Sequence, residues 1–368
     1  MASPLSLAQI DGLNFIARHR WVSDTTSQAA AVPVSVHFPD VATISIGGEA
    51  FPLDGVTWPD LEIENVAHRK TFAVVHGPWQ TSRFRLYNPL IYFAAFGAPE
   101  IFDCLEIAIG SLFAFGGFDG TVRVLCDGQN MGFAERFPPA IRSRVRMSPV
   151  ACGDTLDYTL ARYRLSAVDP AGLFQPILYL DTDVVCDAPL QDLLIRLLKS
   201  EAIQFCAEHP LTINEHWYGT TLLTHDNYRP APDERGFSTG LIGFRDAAQA
   251  AESFATIVES CLRMASMTEN RDLFDTYDQP FANYIMRKLG GYATDLLTPR
   301  CAAPAPPADP EERPGFVHFA GGVGNAGPKL ARMRDYVARL RAAGGDGLWN
   351  VEKSAEAVVT QTPVLPRQ

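Results

Sequence analysis

The sequence has little basic charge. Its 368 residues include 31 Lys and Arg against 42 Asp and Glu, which gives a formal net charge of −11 at pH 7. Nucleic acids and anionic membrane surfaces attract basic proteins, so this balance argues against both as partners. We therefore expect neither nucleic-acid binding nor a polybasic membrane anchor.

Long apolar runs are also missing. Stretches such as residues 90–96 are far shorter than the roughly 20 residues that a membrane-spanning helix needs. The first residues, MASPLSLAQIDGLNF, have neither the basic start nor the apolar core of a secretory signal peptide. The seven cysteines are scattered and odd in number, with no Cys-x-x-Cys spacing, so neither a disulfide framework nor a zinc site is predicted. Together these absences predict a cytoplasmic protein without a membrane span.

The composition, 47% hydrophobic and 20% charged, suits a globular protein with one large domain, or one large and one small. Residues 1–69 read as a small β-rich appendage, in which Gly47-Gly48 signals a hairpin. An elaborated edge of the main sheet is the alternative for this segment. Residues 70–345 form the predicted main domain, and residues 346–368 the predicted C-terminal tail.

From residue 70 onwards the pattern alternates between strands and helices. Such alternation predicts the α/β class, with a mostly parallel sheet flanked by helices. Residues 299–315 are rich in proline and alanine and are typical of a linker. The predicted strands are 72–75, 121–126, 203–207 and 241–244, and the predicted helices begin near Pro99, Leu190, Phe281 and Pro328.

Two carboxylates follow a short apolar run, ILYL, at residues 177–180. Asp181 and Asp183 lie where this buried strand should end, and ligands bind at the carboxyl ends of such strands. A pair at this spacing can converge on one hard cation, which can neutralise a diphosphate.

Two alternatives for this pair of aspartates remain open at this point. The pair can belong to a turn or a helix start, with Asp187 opening the next helix. It also resembles the first motif of haloacid-dehalogenase-type phosphatases, in which the first aspartate is a nucleophile.

A second polar segment, HFAGGVGNAGPK, lies near the C-terminus. An imidazole such as that of His318, added to two carboxylates, suits a borderline cation such as Mn²⁺. The glycine run after it lets backbone N–H groups approach a phosphate, and Lys329 opens a helix whose N-terminus favours anions.

Four segments then stand in one order: ILYLDTDVV, GFSTGLIGF, YDQPFANYI and HFAGGVGNAGPK. This order resembles glycosyltransferase family 8, the retaining glycosyltransferases of the GT-A fold, over roughly residues 70–340. The resemblance implies that Asp181 and Asp183 hold Mn²⁺ or Mg²⁺ on the diphosphate of a nucleotide sugar. It implies His318 as the third ligand.

The resemblance also implies further site residues. Asp278 and Gln279 would lie by the reacting sugar, although Asp278 could equally cap its helix. Ser238 stands where the family usually has Asn, and the segment after His318 has a longer glycine-rich gap and no Trp. The residues expected to bind the donor are Arg162, Thr182, Glu208, Ser238, Gly321, Gly324 and Lys329.

The expected activity is therefore transfer of a hexose from a nucleotide-diphospho-sugar, UDP-linked, to an acceptor that the sequence does not reveal. Retention at the anomeric carbon follows from the resemblance. The alternatives are a phosphatase of the haloacid-dehalogenase type and an inactive relative that binds a nucleotide sugar. The phosphatase needs an acidic pair on a later strand, and no such pair follows Asp183.

Overall fold

A computed structural model gives the architecture of most of the chain. The residues that it describes are 15–24, 34–36, 43–46, 49–52, 61–66, 69–76, 81–170, 172–211, 216–270, 277–307, 309, 311–321 and 326–343.

The strands are β1 (Arg20–Ser23), β2 (Val34–Val36), β3 (Thr43–Ile46), β4 (Glu49–Pro52), β5 (Leu61–Val66), β6 (Arg69–His76), β7 (Thr81–Tyr87), β8 (Leu90–Ala94), β9 (Thr121–Cys126), β10 (Val145–Pro149), β11 (Ile177–Leu180), β12 (Val184–Cys186), β13 (Ile203–Pro210), β14 (Arg235–Phe244), β15 (Tyr292–Ala293), β16 (Cys301–Ala302) and β17 (Phe316–His318). The α-helices are α1 (Pro99–Ala114), α2 (Pro139–Arg142), α3 (Thr155–Leu160), α4 (Leu165–Val168), α5 (Gln191–Lys199), α6 (Thr220–His225), α7 (Ala247–Thr268), α8 (Gln279–Leu289) and α9 (Ala326–Ala342). Short 3₁₀ helices cover Gly128–Arg136, Ala161–Tyr163, His216–Tyr218 and Thr298–Arg300.

A seven-stranded sheet forms the centre, in the order β10-β9-β8-β11-β14-β13-β15. All of its neighbouring pairs are parallel except those of β14, which runs antiparallel to both β11 and β13. This confirms the predicted α/β class with a mostly parallel sheet flanked by helices. β11 occupies the middle position, which explains why all four of its residues are buried and apolar.

Apolar side chains cover the two faces of this sheet separately. Leu178 and Leu180 of β11 belong to one core, which also receives the buried faces of α1, α5 and α9. Ile177 and Tyr179 point to the other face and join a second core with α3, α7 and α8. The alternation is that of a strand packed on both sides, so β11 leads from the buried centre of the sheet to Asp181.

A small sheet, in the order β12-β17-β16, lies beside the end of β11. Its strand β16 falls in the segment that the sequence predicted to be a linker, so that prediction is wrong for these residues. Asp187 accepts hydrogen bonds from the Gly315 backbone N–H at 2.7 Å and from the Tyr336 hydroxyl at 2.7 Å. It therefore ties the small sheet to α9. The prediction that Asp187 opens a helix is wrong, because α5 begins at Gln191 with Leu190 as its N-cap.

The N-terminal region contributes two antiparallel sheets, β1-β7-β6-β5 and β2-β3-β4. Strands β3 and β4 pair as the hairpin signal predicted, while Gly47 and Gly48 lie outside the described residues. The predicted strand 72–75 exists within β6, but it belongs to an antiparallel sheet and not to the central one. The first central strand is β8. The predicted division at residue 70 therefore falls inside a sheet that extends to Tyr87, and the domain boundaries stay a prediction. Residues 346–368 lie outside the described part of the chain.

No helix within the described ranges combines the length and the apolar character needed to cross a membrane.

Candidate active site

The two aspartates of the Asp-x-Asp motif lie at the carboxyl end of β11. The Asp181 backbone N–H donates to the Gly240 carbonyl of β14 at 2.8 Å, and the Val184 N–H donates to the Asp181 carbonyl at 3.2 Å. A tight turn therefore separates the central strand from β12. This turn leaves Asp181 partly exposed and Asp183 buried.

The small sheet brings His318 to the same place from a distant part of the chain. His318 pairs with Val184 in the antiparallel register of β12 and β17, and the Phe319 N–H donates to the Asp183 carbonyl at 3.0 Å. Its Nε2 atom lies 3.3 Å from Asp183 Oδ1 and 3.9 Å from Asp181 Oδ2. One ligand atom from each of the three residues lies within 4.8 Å of the others. The structure thus brings together the three predicted metal ligands.

Gly240 leaves the space between these ligands open. A Cβ atom at this position would lie 2.5 Å from His318 Cε1 and 2.9 Å from Asp181 Oδ2. Both distances are shorter than real Cβ contacts, so any larger residue would displace the histidine or the aspartate. Two carboxylates and an imidazole nitrogen around such a space fit Mn²⁺ or Mg²⁺, and the histidine favours the former.

Lys329, in the first turn of α9, completes this cluster. Its Nζ donates to Asp183 Oδ2 at 2.6 Å. Burial by itself raises the pKa of Asp183, but the charges of His318 and Lys329 outweigh it and hold the pKa well below its usual value. Burial has the opposite effect on the imidazole and lowers the pKa of His318, but the negative charges of Asp183 and Asp181 raise it to about 9. The cluster therefore strongly favours a charged Asp183.

A second buried network lies next to the first. The Arg162 guanidinium lies 3.3 Å from Asp181 Oδ1 and 3.6 Å from Asp278 Oδ2, and it donates to the Thr239 carbonyl at 3.0 Å. The Tyr163 hydroxyl donates to Asp278 Oδ2 at 2.5 Å. Arg162, expected to bind the donor, thus contacts Asp181 of the Asp-x-Asp motif. Asp278 is the N-cap residue of α8, as the alternative interpretation expected, but its carboxylate makes no capping hydrogen bond and turns instead to Tyr163 and Arg162.

Gln279 is the first residue of α8, and its side chain spans two other elements. Its Oε1 accepts from the Thr239 N–H at 3.2 Å, and its Nε2 donates to the Trp217 carbonyl at 3.4 Å. Ser238 is buried in β14, and its hydroxyl accepts from the Gly240 N–H at 3.1 Å. Glu208, near the end of β13, accepts from the Tyr218 hydroxyl at 2.6 Å.

A cleft of about 800 Å³ joins both networks. Most of the predicted site residues are among those that line it: Arg162, Asp181, Asp183, Glu208, Ser238, Asp278, Gln279, His318, Gly321 and Lys329.

Two predicted site residues are not part of this lining. Thr182 lies in the turn between the aspartates and is not among the lining residues, and Gly324 lies outside the described residues. Sequence reasoning missed Trp217, which contacts Gln279 through its backbone carbonyl, and Thr239, which contacts Gln279 and Arg162 through its backbone and accepts from Arg162 with its hydroxyl at 2.8 Å. It also missed Tyr163, although this residue directly follows Arg162.

Comparisons with known proteins give structural likeness only. No protein-family model matches the chain, and no curated protein sequence matches it. Among solved structures, an active-site mutant of LgtC is 17% identical and has a TM-score of 0.46, over 68% of this chain and 95% of that one. The galactosyltransferase LgtC in complex with donor and acceptor sugar analogues is 16% identical, with a TM-score of 0.45, over 73% and 99% of the two chains. Mouse xyloside xylosyltransferase 1 is 15% identical, with a TM-score of 0.42, over 65% and 98%. The chain is thus similar to glycosyltransferases, at a level of likeness that does not identify its function.

Proposed function

We propose that the protein is a glycosyltransferase that moves a hexose from a nucleotide-diphospho-sugar, UDP-linked, to an acceptor. The observation that carries the proposal is the convergence of Asp181, Asp183 and His318 around the space left by Gly240, with Lys329 beside them. The three ligands would hold Mn²⁺ or Mg²⁺. Once bound, the cation supplies Lewis-acid stabilisation of the negative charge on a leaving diphosphate.

The chain provides further groups for an anionic leaving group. Lys329 lines the cleft at the first turn of α9, where a helix N-terminus favours negative charge. Gly321 lines the cleft and is exposed. Its φ of +153° is a backbone conformation that residues other than glycine rarely adopt. An ammonium and backbone N–H groups here stabilise charge as it develops on the diphosphate.

We assign the positioning of the sugar to Asp278 and Gln279, which line the cleft. The Asp278 carboxylate is only 2% exposed and is engaged by Tyr163 and Arg162. A carboxylate held in this way is poorly suited to attack an anomeric carbon. This argues against a double displacement through Asp278 and fits a retaining reaction in which the acceptor oxygen attacks from the face of the leaving group. The bond from the anomeric carbon to the diphosphate breaks as the bond to the acceptor oxygen forms, and the acceptor proton passes to a diphosphate oxygen.

The test is release of nucleoside diphosphate. We expect the full chain with UDP-hexoses and Mn²⁺ to release UDP slowly in water and faster with the correct acceptor. Removal of the cation with a chelator should stop release, and added Mn²⁺ should restore it. Asp183→Asn is the matched control, because asparagine has nearly the same size as the aspartate ligand but carries no charge.

The same assay separates the alternatives. A phosphatase would form a covalent aspartyl-phosphate at Asp181, which can be trapped and located by mass spectrometry. An inactive relative would bind UDP-sugar with Mn²⁺ and release no UDP. Either result would overturn the proposed transfer.

A further inference from the structure

Lys329 and the proposed cation depend on the same carboxylate. The Lys329 Nζ lies 2.6 Å from Asp183 Oδ2, while His318 Nε2 lies 3.3 Å from the other oxygen, Oδ1. Both side chains of the Lys329–Asp183 ion pair are largely buried, with 19% and 9% exposed. Solvent therefore screens this pair much less than a surface pair.

Two positive groups on one carboxylate repel each other. A divalent cation bound by Asp181, Asp183 and His318 would lie within a few ångströms of an ammonium that is bound to Asp183. At such distances and in a partly buried site, the repulsion between the cation and the ammonium is substantial. Binding of the cation alone must therefore either weaken the Lys329–Asp183 pair or overcome the repulsion.

A diphosphate removes this conflict, since its oxygens can accept the ammonium and the cation at the same time. We propose that Lys329 makes cation binding conditional on the diphosphate of the donor: it competes with the cation for Asp183 until the diphosphate draws the ammonium away. This inference rests on the proposed function and adds to it a coupling between two ligands. Because such coupling is reciprocal, the cation must strengthen diphosphate binding by the same factor.

The anchoring of α9 allows the side chain to move without the helix. Leu330 and Met333 pack into the core below the small sheet, and the Tyr336 hydroxyl is bound to Asp187. The helix that carries Lys329 is thus fixed immediately after its cleft-facing turn. The flexible four-carbon stem of a lysine can then carry its ammonium from the carboxylate to a phosphate oxygen.

The experiment measures binding and not turnover. Mn²⁺ binding to the full chain is measured by the electron paramagnetic resonance of free Mn²⁺, without and with saturating UDP, with correction for the Mn²⁺–UDP complex in solution. UDP binding is measured by calorimetry without and with Mn²⁺. The variants are Lys329→Met, Lys329→Arg, which keeps the charge, and Arg334→Met, which removes a charge from an exposed position of the same helix.

We expect Lys329→Met to bind Mn²⁺ alone about tenfold more tightly than the wild type, the factor for loss of one charge-assisted competitor. The same variant should bind UDP more weakly, and UDP should enhance its Mn²⁺ affinity by a smaller factor. Lys329→Arg should retain most of the coupling, and Arg334→Met all of it. A residue with a merely structural role would not shift the two affinities in opposite directions.

Equal coupling in Lys329→Met and the wild type would overturn the inference while leaving the proposed function in place. So would weaker Mn²⁺ binding by Lys329→Met in the absence of UDP. Failure of the wild type to bind Mn²⁺, both without and with UDP, would instead contradict the proposed function itself.

Discussion

Two aspartates at this cleft are almost equally buried and yet differ in their preferred charge. Asp183 is 7% exposed and Asp278 is 2% exposed. The pKa of Asp183 is held well below its usual value, whereas the pKa of Asp278 is raised. Burial raises the pKa in both cases, so the difference comes from their partners.

The partners differ in number and distance. Asp183 faces two cationic groups, Lys329 at 2.6 Å and His318 at 3.3 Å. Asp278 has the Arg162 guanidinium at 3.6 Å, and it shares that guanidinium with Asp181, whose negative charge raises the pKa of Asp278 further. The comparison shows that one shared cation does not overcome full burial, while two close ones do. Under the proposed function the two carboxylates do different work: the charged Asp183 would bind the cation, and Asp278 would position the sugar.

The largest effect is expected from Asp183→Asn. This change leaves Lys329 and His318 without their counter-charge, so we expect the free energy of unfolding to fall by about 3 kcal/mol in urea denaturation. Mn²⁺ affinity should fall by about 100-fold or more, measured by electron paramagnetic resonance. Asp278→Asn is the control, since it removes a carboxylate of similar burial that is not a ligand. If both variants lost Mn²⁺ affinity equally, the division of roles would be wrong.

Much of the Asp183 side of this comparison was predictable from the sequence. Apolar residues followed at once by Asp181 and Asp183 indicated a buried strand that ends in charge, and His318 had the right residue type for the third ligand. The pairing of Lys329 with Asp183 was not predictable, because 146 residues separate the two and the packing of α9 against the core brings them together. The sequence indicated a lysine for phosphate and gave no sign that it binds a candidate metal ligand.

The Asp278 side was harder to predict. An aspartate before an apolar helix is typical of an N-cap, and local sequence contains nothing that draws it to Tyr163, 115 residues away. A similar limit applied to β6, since antiparallel and parallel strands share the same apolar pattern over four residues. The central strands β9, β11, β13 and β14 were recognisable because burial on both faces demands apolar runs, whereas β8, β10 and β15 of the same sheet were not predicted.

The second largest effect is expected from Gly240→Ala, which disturbs the candidate metal ligands by steric contact without changing any charge. The added methyl group would press on His318 and Asp181, as the 2.5 Å and 2.9 Å distances show. We expect Mn²⁺ affinity to fall by about tenfold, with a smaller loss of stability of about 1–3 kcal/mol. Gly110→Ala is the control, because a Cβ there meets nothing within 4 Å and should slightly stabilise α1. Unchanged Mn²⁺ binding by Gly240→Ala would show that the three ligands do not act together.

A smaller effect concerns pH and contrasts the two carboxyls directly. The folded pKa of Asp183 lies below its unfolded value, so its contribution to stability is present above the unfolded pKa and is lost as pH falls through the folded one. The folded pKa of Asp278 is raised, so ionisation of this group opposes folding as pH rises, and the cost disappears as pH falls through the folded pKa. On acidification from pH 7, stability relative to wild type should therefore decline for Asp278→Asn, whereas the deficit of Asp183→Asn should shrink at the lowest pH values. Urea unfolding of the three proteins between about pH 3 and 8 measures both changes. A deficit of Asp183→Asn that does not shrink below about pH 4, or a stability of Asp278→Asn relative to wild type that does not decline, would contradict the assignment.

The smallest effect is expected from Tyr163→Phe, which sharpens the comparison by weakening one partner of Asp278. The Tyr163 hydroxyl donates to the carboxylate, so its removal disfavours the charged form and raises the pKa of Asp278 further. We expect a loss of about 1 kcal/mol in the free energy of unfolding at neutral pH. The loss should diminish as pH falls through the folded pKa of Asp278, because the protonated carboxyl depends less on the donor. Tyr158→Phe is the matched control, since it deletes a hydroxyl from a ring that stacks on Phe96. A loss that does not vary with pH would mean that Tyr163 supports packing alone and that Arg162 by itself governs the charge of Asp278.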